Sequence, residues 1–197
     1  MDRYEVRLSG TGGQGLVVAG VILAEAAGIY EGKYVVQTVS YGPAARGGTS
    51  RADVVVSDGE IDYPKAIGLD LLLAMSQQAW DESADMMKPN GVLVVDSELV
   101  TQVTYERAVR IPFTKIAREK FGREQMANIV ALGALSHIIP AMQAGAGLVS
   151  PESLQAALAD RFPQAGEVNQ KALQEGLEAA RQTQIVFEEP SSDGNQI

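Results

Sequence analysis

The feature that most constrains the fold is a strand, a glycine-rich turn and a helix in immediate succession near the start of the chain. Residues 4–9 alternate between apolar and polar side chains and include β-forming residues, which predicts a strand. The glycine-rich segment Gly10-Thr-Gly-Gly-Gln-Gly15 follows directly. Residues 16–27 are mostly apolar and predict a helix. This order is the first half of a Rossmann-like unit. Its glycines let the backbone approach a ligand closely, and the helix N-terminus attracts an anion.

A dinucleotide site at this turn meets an obstacle in the next strand. Such a site normally has an acidic residue about 20 residues after the glycines, at the end of the second strand. The second predicted strand, residues 34–39, ends in Ser40-Tyr-Gly-Pro-Ala-Ala-Arg-Gly-Gly48, without Asp or Glu. The sequence therefore disfavours NAD. An NADP site that uses Arg46 is disfavoured as well but is kept as an alternative, and a structural turn whose glycines only let helix and strand pack closely stays open.

Composition excludes several classes of function. A net charge of −9 argues against nucleic-acid binding. The chain has no cysteine, which excludes disulfides, thiolate catalysis and cysteine-ligated iron–sulfur clusters within it. A single histidine, His137, excludes a His-rich metal site and leaves only carboxylates for a hard cation. Neither a signal peptide nor a bilayer-length apolar window is evident, so we expect a cytoplasmic protein that does not enter the membrane.

The rest of the chain alternates strands and helices. Further strands are predicted at 50–57, 69–75, 92–96 and 108–111, and the Asp58-Gly59 turn before residues 60–63 indicates a hairpin. Helices are predicted at 77–87, 113–121, 125–142, 151–161 and 166–183, with a turn at 88–91 and Ser150 and Pro151 opening the fourth of them. The alternation predicts a three-layer, Rossmann-like α/β domain with a mostly parallel sheet and C-terminal helices. It should span residues 1–184, before an acidic, disordered tail at 185–197.

The loop after the second strand is the other candidate ligand-binding segment. It should lie at the carboxyl edge of the sheet, beside the glycine turn, where ligands bind in open α/β sheets. Arg46 offers a planar charged fork for phosphate or carboxylate, and Tyr41 offers a ring and a hydroxyl. The remaining candidates stiffen the loop or permit close approach: Gly42, Pro43, Gly47 and Gly48. The alternative is a surface loop whose arginine pairs with a carboxylate of the same chain.

Three other polar residues have both a functional and a structural interpretation. Asp96 is either catalytic or a turn residue, and His137 is either a base or a core or interface histidine. Asn128 lies in an apolar helix and needs a hydrogen-bond partner, which is either a ligand or the chain itself. No set of nucleophile, base and acid can be assembled. This absence suggests one subunit of a larger enzyme, and we predict no catalytic residue in the chain.

Several motifs together resemble the gamma subunit of the 2-oxoacid:ferredoxin (acceptor) oxidoreductases. They are Gly10–Gly15, Gln37–Gly48, Ser50-Arg-Ala-Asp53, Ile61-Asp-Tyr-Pro64, Asp70–Gln77, Ala127-Asn128, Leu132-Gly-Ala134 and Glu167-Val-Asn169. The resemblance runs from about residue 4 to residue 180. Within this family, the 2-oxoglutarate branch is the most similar in two motifs, Ser40-Tyr-Gly-Pro43 and Ile61-Asp-Tyr-Pro64.

The resemblance implies that a 2-oxo acid and coenzyme A are converted to an acyl-CoA and carbon dioxide, with ferredoxin as electron acceptor. It implies alpha, beta and ferredoxin-like delta partner subunits, which hold thiamine diphosphate, magnesium and [4Fe–4S] clusters. The gamma subunit then has no redox centre, is inactive alone, and contributes to the coenzyme A side of the site. The residues carried over for coenzyme A are Gly10, Gly12, Gly13, Gln14, Gly15, Tyr41, Gly42, Pro43, Arg46, Gly47 and Gly48. A stand-alone NADP-binding or nucleotide-binding regulator and a purely structural scaffold subunit remain alternatives.

Overall fold

A six-stranded sheet forms the centre of the molecule. The computed structural model describes residues 3–42, 48–183 and 185. The strands are β1 (Tyr4–Thr11), β2 (Tyr34–Tyr41), β3 (Thr49–Ser57), β4 (Leu69–Ala74), β5 (Met87–Asp96) and β6 (Ala108–Ile111). Their spatial order is β2-β3-β1-β4-β5-β6.

The strand directions place most carboxyl ends at one edge of the sheet. β1, β4, β5 and β6 are parallel neighbours. β3 runs antiparallel to both β1 and β2, so β2 points the same way as β1. Five strands therefore end at the same edge, and β3 begins there.

Helices cover the two faces unequally. The helices are α1 (Leu16–Glu25), which continues as a π-helical turn at Ala26–Tyr30, α2 (Gln77–Asp81), α3 (Phe113–Phe121), α4 (Ala127–Ala141), α5 (Pro151–Arg161) and α6 (Gly166–Gln182). The first face, which carries Tyr4, Val6 and Leu8, packs in one core with residues of α1, α3, α4, α5 and α6. The second face, which carries Leu72 and Leu93, packs on Ala79 of α2 and on Val100. The predicted three-layer α/β architecture with a mostly parallel sheet is confirmed.

The predicted hairpin after Asp58-Gly59 is wrong. Residues 60–63 form no strand, because β3 already pairs with β1 on one side and with β2 on the other. The backbone there is held by a side chain, since the Arg3 guanidinium donates to the carbonyl oxygens of Tyr63 and Lys65, both at 2.8 Å. The antiparallel member of the sheet is β3 itself.

The region between β4 and the central part of β5 also differs from the prediction. α2 ends at Asp81, and a 3-10 turn at Ala84–Met86 follows, which brings the Met86 sulfur to 3.0 Å from Nη1 of Arg7. β5 starts at Met87, but the pairing jumps from Leu69↔Met87 to Leu71↔Val92. The predicted turn at 88–91 is therefore an irregular insert inside the strand.

The helices after β6 agree closely with the sequence. α3 has the predicted bounds, and Gly122 ends it with φ 66°. Ser150 caps α5 in a capping box with Ser153, with Pro151 in the first turn. The predicted tail lies outside the described residues except for Ile185, which packs against the core. None of the helices described combines the length and apolar character that crossing a bilayer requires.

Candidate functional site

The two glycine-rich segments meet at the carboxyl edge of the sheet. The backbone N–H of Gly12 donates to the carbonyl oxygen of Gly48 at 2.9 Å. The N–H of Gly42 donates to the carbonyl oxygen of Thr49 at 2.7 Å, which closes the base of the second loop. The expected proximity of the turn and the loop is therefore present in the structure.

Gln14 holds the glycine turn in shape. Its side-chain oxygen accepts a hydrogen bond from the N–H of Thr11 at 2.7 Å, and its side-chain nitrogen donates to the carbonyl oxygen of Met75 at 2.9 Å. The amide thus links the turn to the end of β4. A Cβ atom on Gly10 would lie 2.2 Å from Oε1 of Gln14, so the first glycine makes room for this bridge.

Asn128 supports the turn from α4. Its side-chain nitrogen donates to the carbonyl oxygen of Gly15 at 3.1 Å, so the polar amide in the apolar helix finds its partner within the chain. Gly15 has φ 74°, and a Cβ atom there would lie 2.4 Å from Nδ2 of Asn128. Both observations require glycine at this position.

A cleft of about 390 Å³ opens beside the turn. Its wall comes from the ends of β1, β4, β5 and β6 and from the start of α4: Thr11, Gly13, Gln14, Met75, Ser76, Leu99, Thr114, Glu124, Gln125 and Ala127. Gly13 has φ 96°, and nothing lies within 4 Å of the position of a Cβ atom. The turn therefore presents bare backbone to the cleft at Gly13, next to the start of α1, whose N-cap Gly15 supplies no side-chain acceptor.

Several polar side chains at and beside the cleft are engaged in structural contacts. Buried Asp96 accepts hydrogen bonds from the N–H and the hydroxyl of Thr114, at 2.8 and 2.6 Å, and from the N–H of Glu98 at 2.9 Å. These contacts support its interpretation as a turn residue. Glu124 pairs with Arg118 at 2.8 Å, and the hydrogen bonds from Arg118 to Glu124 and Glu98 raise the pKa of the arginine. Among the described lining residues, Glu124 carries the only charge.

The structure divides the predicted site residues into three groups. Seven of them lie together at the sheet edge: Gly10, Gly12, Gly13, Gln14, Gly15, Gly42 and Gly48. Tyr41 lies at the end of β2, and its side chain is 70% exposed. Pro43, Arg46 and Gly47 lie outside the described residues. His137 is half-buried on α4 and does not line the cleft.

Of the residues that line the cleft, the predicted site residues include only Gly13 and Gln14. Ser76, Leu99 and Thr114 follow β4, β5 and β6, so the rule that ligands bind at the carboxyl ends of the strands could have indicated them. In residues 3–42, 48–183 and 185, no group of three or more His, Asp or Glu side chains is arranged to hold a metal ion.

Comparisons with known proteins agree on one family. The family model described as pyruvate ferredoxin/flavodoxin oxidoreductase matches residues 5–179. The 2-oxoglutarate synthase subunit KorC of Methanocaldococcus jannaschii is 45% identical over 185 residues, which cover 91% of this chain and 95% of that protein.

Two solved structures share the fold. The crystal structure of the keto/oxoacid ferredoxin oxidoreductase gamma subunit of Geobacter sulfurreducens has a TM-score of 0.78 and 45% identity, and the match covers 92% of this chain and 98% of that one. The 2-oxoglutarate:ferredoxin oxidoreductase of Magnetococcus marinus, solved with 2-oxoglutarate, coenzyme A and succinyl-CoA bound, has a TM-score of 0.81. At 24% identity it shares the fold, and the match covers 94% of this chain but 32% of that longer chain.

The family model and the archaeal relative each cover about nine-tenths of the chain or more. The relatives are subunits of oxidoreductases and not stand-alone nucleotide-binding regulators. The chain therefore belongs to the pyruvate ferredoxin/flavodoxin oxidoreductase family, as a subunit of the gamma type.

Proposed function

We propose that this chain is the gamma subunit of a 2-oxoglutarate:ferredoxin oxidoreductase and that it forms the coenzyme A side of the site. The enzyme would convert a 2-oxo acid, coenzyme A and two oxidised ferredoxins to an acyl-CoA, carbon dioxide and two reduced ferredoxins. The 45% identity to a 2-oxoglutarate synthase subunit supports the substrate. The absence of cysteine fits a subunit without a redox centre.

The partner subunits of the proposed enzyme are alpha, beta and delta chains. Thiamine diphosphate with magnesium would supply the decarboxylation there, and [4Fe–4S] clusters would carry the electrons to ferredoxin. This chain would bind and orient coenzyme A and would help to assemble the enzyme. The domain that does so is residues 1–184, with residues 185–197 as an appended acidic tail.

The observation that carries the coenzyme A proposal is the hydrogen bond between Gly12 and Gly48. It brings the turn and the base of the loop together beside the start of α1, where the N–H groups of the first helical turn can face an anion. Gly13 leaves an open approach to this point. A phosphate group of coenzyme A fits such a site, because a helix N-terminus and bare backbone N–H groups attract anions.

The proposed roles of the site residues differ. Gly13 contacts the ligand, and Gly12 and Gly48 join the two segments. Gly10, Gln14 and Gly15 would set the shape of the turn, supported by the contacts with Gln14 and Asn128, and Gly42 would set the base of the loop through its hydrogen bond to Thr49. By resemblance, Arg46 would pair with a phosphate, while Tyr41, Pro43 and Gly47 would form the surrounding loop.

The test is Arg46→Ala in the assembled enzyme. We expect the KM for coenzyme A to rise about tenfold or more, since a charge-assisted hydrogen bond to phosphate contributes about 1.5–3 kcal/mol. The KM for 2-oxoglutarate should stay the same. Arg181→Ala is the matched control, because Arg181 is exposed in the last turn of α6, on an element that does not line the cleft.

One result would contradict the proposed role of Arg46, and two others would favour the alternative functions. An unchanged KM for coenzyme A with intact assembly would contradict the proposed role of Arg46. Reduced assembly, with an unchanged KM for coenzyme A in the enzyme that still assembles, would favour a scaffold subunit. Tight binding of NADP to the isolated chain, measured by calorimetric titration, would favour a nucleotide-binding regulator.

A further inference from the structure

The cleft beside the glycine turn extends beyond the point that we propose for a phosphate. Its volume of about 390 Å³ lies in the range of clefts that bind small molecules. The segment that leads into α4 forms one wall, and Asn128 ties this segment to the turn by donating to the carbonyl oxygen of Gly15 at 3.1 Å. The turn and the cleft are therefore one continuous site, and a ligand bound at the turn can place another of its parts in the cleft.

The charge of the cleft argues against a second phosphate inside it. Glu124 is the only charged residue among the described residues of the wall. Its partner Arg118 is shared with a second carboxylate, because Nη1 of Arg118 lies 2.8 Å from Oε1 of Glu124 and Nη2 lies 2.7 Å from Oε1 of Glu98. One guanidinium between two carboxylates leaves a net negative charge, which repels phosphate. The cleft therefore suits an uncharged part of a ligand.

The wall combines apolar surface with polar groups that are available to a ligand. Three apolar side chains contribute to it: Met75, Leu99 and Ala127. Oε1 of Glu124 accepts a hydrogen bond from Arg118, while Oε2 accepts none from the described residues. The side-chain amide of Gln125 makes no hydrogen bond with another described residue. Apolar surface suits the faces of a flat ring, and an amide and a carboxylate suit the edge of adenine, where an amine donor lies beside ring-nitrogen acceptors.

We propose that the cleft binds the adenine ring of coenzyme A and that Glu124 and Gln125 recognise the edge of this ring. The proposal rests on the proposed function, which puts a phosphate of coenzyme A at the start of α1. The carboxylate of Glu124 would accept a hydrogen bond from the exocyclic amine. The amide of Gln125 would pair with the amine and a neighbouring ring nitrogen. Met75 and Leu99 would contact the faces of the ring.

The adenine ring fits the cleft better than the pantetheine arm of coenzyme A does. The ring and the arm lie on opposite sides of the diphosphate, so a phosphate at the turn lets one of them enter the cleft while the other points away. The thiol at the end of the arm must reach thiamine diphosphate, which the proposed function places in a partner subunit. The arm therefore has to leave this chain, whereas the adenine takes no part in the reaction and can stay.

The test compares coenzyme A with an analogue in which purine replaces adenine, so that the exocyclic amine is absent. Calorimetric titration of the assembled enzyme, without 2-oxo acid, gives the Kd of each. We expect the wild type to bind the analogue about tenfold more weakly, since the analogue lacks a hydrogen bond to a charged group. In Glu124→Ala the ratio of the two Kd values should fall to about threefold or less, and Gln125→Ala should lower it as well.

Two controls accompany this comparison. Glu152→Ala is the matched variant, because Glu152 is also an exposed glutamate near the start of a helix, but it lies on α5, and no described residue of α5 lines the cleft. It should keep the wild-type ratio. The control ligand is 4′-phosphopantetheine, which has no base, and Glu124→Ala should bind it with the same Kd as the wild type does.

Three results would overturn the proposal. The wild type could bind coenzyme A and the purine analogue equally well, or Glu124→Ala could keep the wild-type ratio. Alternatively, Glu124→Ala could change the Kd of 4′-phosphopantetheine, which would make the pantetheine arm the occupant. In each case, a raised KM for coenzyme A in Arg46→Ala would show that the proposed function stands without this inference. If the assembled enzyme does not bind coenzyme A at all, the proposed function and this inference fail together.

Discussion

The buried carboxylate of Glu5 holds the segment between β3 and β4 in place. Its side chain is almost fully buried, and it accepts hydrogen bonds from the N–H groups of Ile67 and Gly68 at 2.6 and 2.9 Å. Arg3 also pairs with it. Burial acts to raise the pKa of Glu5, but the hydrogen bonds from Arg3, Gly68 and Ile67 outweigh it, and the pKa lies below its ordinary value of 4.5. The ionised carboxylate therefore anchors the segment that leads into β4.

We expect Glu5→Gln to destabilise the fold by about 2 kcal/mol at pH 7, since hydrogen bonds to a charged group contribute about 1.5–3 kcal/mol. The pKa of Glu5 is lower in the folded state than in the unfolded state. The ionised carboxylate therefore stabilises the wild type fully above the unfolded pKa, and this stabilisation is lost as the pH falls through the folded pKa. The difference between variant and wild type should therefore shrink below about pH 4.5. Urea unfolding at several pH values measures it, with exposed Glu106→Gln as the control. Equal stability of Glu5→Gln and the wild type at pH 7 would contradict this account.

The contact between Asn128 and Gly15 shows how far residue-level reasoning can go. The sequence predicts that Asn128 needs a partner, because a buried amide without one is costly. It does not identify the partner, since Gly15 lies 113 positions away and the two meet only when α4 packs beside the turn. The site residues that sequence reasoning placed correctly are those whose position follows from the local order of strand, turn and helix.

At the level of elements, β3 is where the sheet departs from a purely parallel arrangement. It runs between β1 and β2 in the opposite direction. A buried ion pair joins it to β1, with Nε and Nη2 of Arg7 at 2.7 and 2.8 Å from the carboxylate oxygens of Asp53. Ser83 and Met86, which follow α2, contact the same guanidinium. The pair therefore connects three elements.

Asp53→Asn should destabilise the protein by about 3–5 kcal/mol, because it leaves the Arg7 guanidinium buried without its counter-charge. The double variant Arg7→Met with Asp53→Leu should recover most of the loss, since well-packed apolar side chains can replace a buried ion pair. Thermal and urea unfolding of Arg7→Met, Asp53→Leu and the double variant give the coupling energy. Additive effects of the two single changes would show that the pair is not coupled.

The elements differ in how well the sequence predicts them, and the reason is physical. α3 and α5 are predicted to the residue, because glycine and a serine–proline cap mark their ends locally. The prediction of a hairpin after Asp58-Gly59 is wrong, because β3 has no free edge for another strand. Both edges of β3 are occupied by β1 and β2, which are distant in the sequence. The predicted length of α2 is wrong for a similar reason, since Arg7 of β1, which is distant in sequence, contacts Ser83 and Met86 on the face that α2 covers.

At the level of the whole molecule, the chain has the features of a component and not of a complete enzyme. Its cleft lies at the sheet edge, and the hydroxyl of Thr114 and the side chains of Ser76 and Glu124 in its wall have structural partners. The edge of β2 is open and uncharged. Neither the redox chemistry nor the decarboxylation can be assigned to side chains of this sequence. The contribution that we propose for it is the coenzyme A side of the site and assembly with the other chains of the enzyme.

The most direct test of this account is a pull-down of the tagged chain from its native host. The co-purified material would be examined by mass spectrometry, by iron analysis and by dye reduction that depends on 2-oxoglutarate and coenzyme A. The account predicts co-purified chains that contain thiamine diphosphate and iron–sulfur clusters, with activity on 2-oxoglutarate. A chain that is recovered alone, without iron and without this activity, would contradict it.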